Sequence, residues 1–182
     1  MKSNWTVEEL VQQFTLQADE REFLGLNDPH NQLGKAVLLK VFQYEARFPQ
    51  EKQDIPEVII DFVAQQLYVL PEAWSEYQWD ESRMREHRQQ IRHWLGFRRA
   101  NLEDQKEISK WLVEDILPDE FRVSHLQGKV YQRLREYQFE PPSDDQIERL
   151  ITSALHQYQS AFFERTYAKL PQLSRMRLRN LL

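Results

Sequence analysis

Apolar residues recur every three or four positions along almost the whole chain, the period of a helix with one buried face. In "TVEELVQQF", Thr6 followed by Glu9 has the spacing of a capping box, which predicts a short first helix carrying Leu10, Val11 and Phe14. The stretch at 31–48 sets Leu33, Val37, Val41, Tyr44 and Phe48 on one stripe, and Pro49 predicts its stop. Pro56 then opens "IPEVIIDFVAQQL", whose Ile59, Ile60, Phe62, Val63 and Leu67 predict the most buried helix of this half. A short helix opened by Pro71 follows. After it comes "DESRMREHRQQIRHWL", capped by Asp80 or Ser82 and closed by Gly96, so that three helices succeed one another closely.

The second half has the same style. Helices are predicted at 102–117, ended by Pro118, at 122–139, ended by Pro141 and Pro142, and at 143–170, capped by Ser143 and ended by Pro171. No alternating strand pattern competes. These elements predict an all-α multi-helix bundle of two packed helical subdomains, 1–100 and 101–182, the first with a helix-turn-helix-like arrangement. The join is placed near Ala100 to Asp104. "GKAVLLKVFQYEARFP" and "GKVYQRLREYQFEPP" share a glycine, a lysine, a helix and a proline stop, which a duplication or a chance likeness of amphipathic helices would each explain.

Composition narrows the function classes. With 182 residues, 41% hydrophobic and 12% aromatic, the chain can bury a real core, and 29% charge makes its surface strongly polar. The absence of cysteine removes disulfides, thiolate zinc sites and thiol nucleophiles. No run approaches the roughly 18 apolar residues of a membrane span. The expectation is a soluble, cytoplasmic protein without a membrane segment. Four scattered glycines form no phosphate-cradling loop, and no Gly-x-Ser-x-Gly elbow occurs. His30, His87, His93, His125 and His156 form no i,i+4 pair, so no metal site is expected. Asp61, Asp115, Asp144 and Asp145 are the carboxylates to check for metal-assisted phosphoryl transfer, yet Asp144 and Asp145 suit the first turn of a helix and Asp61 a solvent-facing position. No enzymatic activity, cofactor or metal is expected of this chain.

One stretch stands out against a formal net charge of −5: residues 83–99 hold Arg83, Arg85, Arg88, Arg92, Arg98 and Arg99 against the single acid Glu86. At 100° per residue Met84, Ile91 and Leu95 share one line, with Trp94 and His87 beside it. Arg88, Arg92 and Arg85 then fall on one flank, with Gln89 next to them. Stacked guanidiniums repel one another unless an anion is the usual neighbour. Three readings remain open: a nucleic-acid face, a solvated or internally paired face, and a docking surface for an acidic protein. On the first, Arg85, Arg88, Arg92 and Gln89 suit a recognition helix in a DNA major groove, and Arg98 and Arg99 suit backbone phosphates. A weaker basic group lies at Lys129, Arg133 and Arg135, with Arg122 upstream. A third, Arg175, Arg177 and Arg179, reads as a solvated last helix or a linker.

The order "HNQLGKAVLLKVFQYEARFP", "IPEVIIDFVAQQL", "YQWDESRMREHRQQIRHWLGFR" resembles the N-terminal region of the transposases of Tn-three-type replicative transposons, often catalogued as a domain of unknown function. The likeness continues through "EPPSDDQIERLITSALHQYQSAFFERTYAKL". It implies recognition of the terminal inverted repeats in double-stranded DNA, with strand cutting left to a separate magnesium-dependent domain built on an acidic triad. It further implies that the chain is such a front end without the catalytic domain, with DNA, the rest of a transposase or a second copy of itself as partners. The alternative is a helical protein–protein interaction module with a basic docking face.

Overall fold

A computed structural model of the chain describes residues 1–2, 4–25, 28–79 and 82–171. They gather into two compact units, Met1–Arg98 and Arg99–Leu182. The first contains α1 (Val7–Phe14), α2 (Ala18–Leu24), α3 (Pro29–Glu45), α4 (Glu57–Leu67), α5 (Ala73–Glu76) and α6 (Ser82–Trp94). The second contains α7 (Leu102–Trp111), α8 (Val123–Glu136) and α9 (Asp144–Lys169). Its only strands among the described residues are two residues long: β1 (Arg98–Arg99), which enters the unit at Arg99, pairs with β2 (Phe139–Glu140). The molecule is all-α, as the periodicity predicts.

The first unit is organised around α3. Every residue from Leu33 to Phe42 is buried, including Lys35 and Lys40, so this helix is covered on all sides and not on one face. It starts with Pro29 at its first turn and ends at Ala46, whose φ of 58° stops the helix ahead of Pro49. Two lysines in such a place need partners, because an unpaired buried charge is strongly destabilising. Lys40 donates to both oxygens of buried Glu20 at 3.0 and 3.2 Å, and Gln43 adds a third donor at 2.7 Å. Lys35 donates to the Phe23 carbonyl at 3.0 Å and lies 4.0 Å from the Phe23 ring centre. Both partners belong to α2, an element that periodicity alone does not pick out. Its signs are local: Gln17 and Glu20 form its capping box, and Gly25, at φ 67°, ends it.

Another part of α3 is held against its neighbour by a glycine. Gly34 faces the buried ring of Tyr77, and a Cβ on residue 34 would lie 2.3 to 2.5 Å from ring carbons. Glycine is required there by the close approach, not by its backbone freedom. The segment between α1 and α2 is tied down by Gln66, which accepts from the Leu16 N–H at 2.8 Å and donates to the Phe14 carbonyl at 3.0 Å.

The second unit has its own core of Ile108, Leu112, Leu117, Leu126, Val130, Leu134, Ile147, Ile151 and Ala154. α7 is capped by Asn101 and Asp104 as a capping box. Where periodicity predicts one helix at 102–117, the structure has an α-helix that continues as a π-helical stretch, Leu112–Ile116. The looser turn carries the chain to Leu117, which is fully buried. α9 opens after Ser143, with Asp144 and Asp145 in its first turn, and reaches Lys169 before Pro171. Its buried residues end at Ala154, and Phe162 and Phe163 are exposed.

Candidate nucleic-acid interface

α6 is the element on which the arginine question turns. Its core side is formed by Met84, His87 and Ile91, all buried. Met84 and Ile91 pack with Leu38, Leu39, Phe42, Phe48 and Tyr77, and Trp94, Leu95 and Phe97 close the edge of the same cluster. Trp94 stacks on Phe23 with centroids 4.8 Å apart, and Phe97 meets Phe42 edge-on at 5.0 Å. The helix stops at Gly96, which adopts φ 73°, with Gly96 N–H on the His93 carbonyl and Phe97 N–H on the Arg92 carbonyl. α5, immediately before it, is a single turn, and α6 takes its support from α3.

A buried polar contact fixes the rotation of α6. The Tyr77 hydroxyl and His87 Nδ1 lie 3.0 Å apart, with the two rings nearly parallel. Burial, with the positive charges of Lys35 and Arg83 adding to it, pushes the His87 pKa down to about 4. Burial likewise pushes the Tyr77 hydroxyl well above its ordinary range. His87 is therefore a neutral imidazole that sets which residues of α6 face outward. Burial also lowers the pKa of Lys35, opposed by the charge of Glu86.

The arginines divide into distinct environments. Arg83 is exposed and pairs with Glu86 at 3.1 Å. Arg85 and Gln89 are exposed, and among the described residues neither side chain has a hydrogen-bond or ion-pair partner. Arg88 is half-buried: its Nη2 donates to the Pro49 carbonyl at 2.8 Å, and its guanidinium lies 5.2 Å from the Phe48 ring centre and 5.4 Å from that of Trp79. Trp79 in turn donates from its indole to the Gln50 carbonyl at 3.2 Å. Arg92 is half-buried and lies 5.8 Å from the Phe48 ring centre. The predicted cap Asp80 and the neighbouring Glu81 lie outside the described residues.

Arg98 and Arg99 are exposed on β1, and Arg99 forms an ion pair with Glu140 at 3.4 Å within the second unit. In that unit Lys129 and Arg135 are exposed, whereas the Arg133 guanidinium packs over Trp111 at 5.0 Å and Tyr137 at 4.6 Å. Arg122 is engaged by Glu120, whose carboxyl is held far below the usual range by hydrogen bonds from the Arg122 side chain and backbone. Arg175, Arg177 and Arg179 lie outside the described residues. Asp61 and Asp115 are exposed, and among the described residues no three His, Asp or Glu side chains are grouped to hold a metal ion. No described helix is long and apolar enough to cross a membrane.

Residues 1–154 match the family described as "Domain of unknown function (DUF4158)". The chain belongs to that family. It is also 27% identical over 125 residues to the "Transposase for transposon Tn501" of Pseudomonas aeruginosa, a match that takes in 69% of this chain and 13% of that protein. The chain thus spans only a small part of the length of this relative. Family and relative together support the resemblance to the N-terminal region of Tn-three-type transposases and place the chain as a transposase-related region.

Proposed function

We propose that this chain is the DNA-binding front end of a Tn-three-type transposase and recognises the terminal inverted repeats of the transposon, with the chemistry of strand cutting supplied by another domain. The observation that carries the reading is the outward face of α6, which presents arginine and glutamine on a helix rigidly seated against α3, with one acid, Glu86, among six arginines from 83 to 99. Arg and Gln are the side chains that best pair with guanine and adenine edges in a major groove. The likeness to a transposase supports the same reading. An acidic whole does not oppose it, because phosphate contacts depend on the local patch. The Lys129 and Arg135 group is a separate candidate phosphate contact on the second unit. In this reading the protein works in the cytoplasm, with transposon ends, the remainder of a transposase or a second copy as partners.

A helical protein-interaction module is the second reading, favoured by the exposed Phe162, Phe163 and Tyr167 near the end of α9. Fluorescence anisotropy separates the two. The full chain is titrated with a duplex carrying the terminal repeat of its element and with a scrambled duplex, at two salt concentrations. Preference for the repeat, with log K falling by roughly 0.9 per phosphate neutralised for each decade of salt, is the expected result. Weak, equal binding to both duplexes leaves only a non-specific basic patch, and absent binding gives the case to the protein partner.

A further inference from the structure

The arginines of α6 differ in what their heads already hold, and that difference assigns roles. Viewed down the helix, at about 100° per residue, the buried line through Met84, Ile91 and His87 lies opposite Gln89, so Gln89 sits on the crest. Arg85 lies one turn earlier, about 40° away on the same crest. Both are exposed, and neither gives up an internal contact on meeting a ligand. Arg88 is the opposite case. Its guanidinium is committed to the Pro49 carbonyl and lies over the rings of Phe48 and Trp79, so turning it to a base would break a charge-assisted hydrogen bond and two ring contacts.

Four residues advance about 6 Å along a helix axis, and stacked base pairs are about 3.4 Å apart. A helix lying along a major groove therefore brings residues 85 and 89 over base pairs no more than two steps apart. Arginine pairs with the O6 and N7 of guanine and glutamine with the N6 and N7 of adenine. We propose that Arg85 and Gln89 are the specificity-determining pair, reading a guanine and an adenine within two base steps, while Arg88 is a positioning residue that clamps α6 to the segment at 48–50. This rests on the DNA-binding reading above and goes beyond it in saying which side chains choose the sequence.

The test is a binding selection with the full chain on a pool of duplexes carrying a randomised core of about 20 base pairs, run on the wild type, Arg85→Ala, Gln89→Ala and Arg88→Ala. The wild type should enrich a motif containing guanine and adenine within two steps. Gln89→Ala should lose discrimination at the adenine by about 10- to 100-fold and keep the guanine, and Arg85→Ala should do the reverse. Arg88→Ala should keep every base preference while the first unit melts at lower temperature. Because residues 85 and 89 are exposed, circular dichroism of their variants should match the wild type. A motif that both variants retain in full overturns the assignment of the pair, and altered base preference in Arg88→Ala overturns its positioning role. A wild type that enriches no motif removes the DNA-binding reading and this one with it.

Discussion

At the scale of single residues, the first unit is controlled by contacts with little tolerance. Gly34 illustrates it. Alanine in the middle of a helix normally gains about 1 kcal/mol over glycine, but a Cβ at residue 34 would sit within 2.5 Å of the Tyr77 ring, and overpacking a core costs about 1–3 kcal/mol or more. Since Tyr77 is buried and its hydroxyl is held by His87, we expect Gly34→Ala to destabilise the first unit by on the order of 2 kcal/mol, measured by urea unfolding. Stability equal to or above the wild type would contradict that close approach. Arg88 was legible in the sequence as a member of a basic flank; what it touches was not. Its main partner, the Pro49 carbonyl, is 39 residues away and belongs to the backbone, so no pattern of side-chain types announces it.

At the scale of elements, the joint between α6 and α3 depends on a neutral histidine. In the unfolded chain a histidine takes up a proton below about pH 6.5, whereas His87 in the folded unit resists protonation down to about 4. Its contribution is therefore complete above about pH 6.5 and is lost as pH falls through that window, on the order of 3 kcal/mol by linkage. His87→Gln should flatten this part of the stability curve, followed by thermal melts from pH 7 to 4, while the contribution of carboxylates remains in both proteins. An unchanged slope would place the pH dependence elsewhere. Most helices were legible because each buries one face at a regular period; in α6 the line through Met84 and Ile91, with His87 beside it, is the core side, whereas Leu95, placed on the same line, lies past the helix end and is only half-buried. α3 read as a one-sided stripe, since its lysines look solvent-facing until Glu20 and the Phe23 carbonyl are brought to them. α2 is too short, at seven residues, for periodicity to register, and the π-helical stretch after α7 keeps an ordinary helical composition.

At the scale of the whole molecule, the buried apolar clusters among the described residues each have their members in one unit: two in Met1–Arg98 and one in Arg99–Leu182. A lesion in one core should then leave the other standing. We expect Gly34→Ala to lower one calorimetric transition and leave a second where it was; a single transition moving as a block would instead reveal strong coupling between the units. The charge of the molecule is distributed with similar economy, an acidic total with the arginines of 83–99 gathered on a short stretch. The burial of α3 on every side has one more consequence, in time. The amide hydrogens from Leu33 to Phe42 can meet deuterated water only after the helices around them have moved away, so their exchange should be the slowest of the first unit and should report its global opening. A ligand that grips α6 would slow that clock, although it never touches the helix that keeps it.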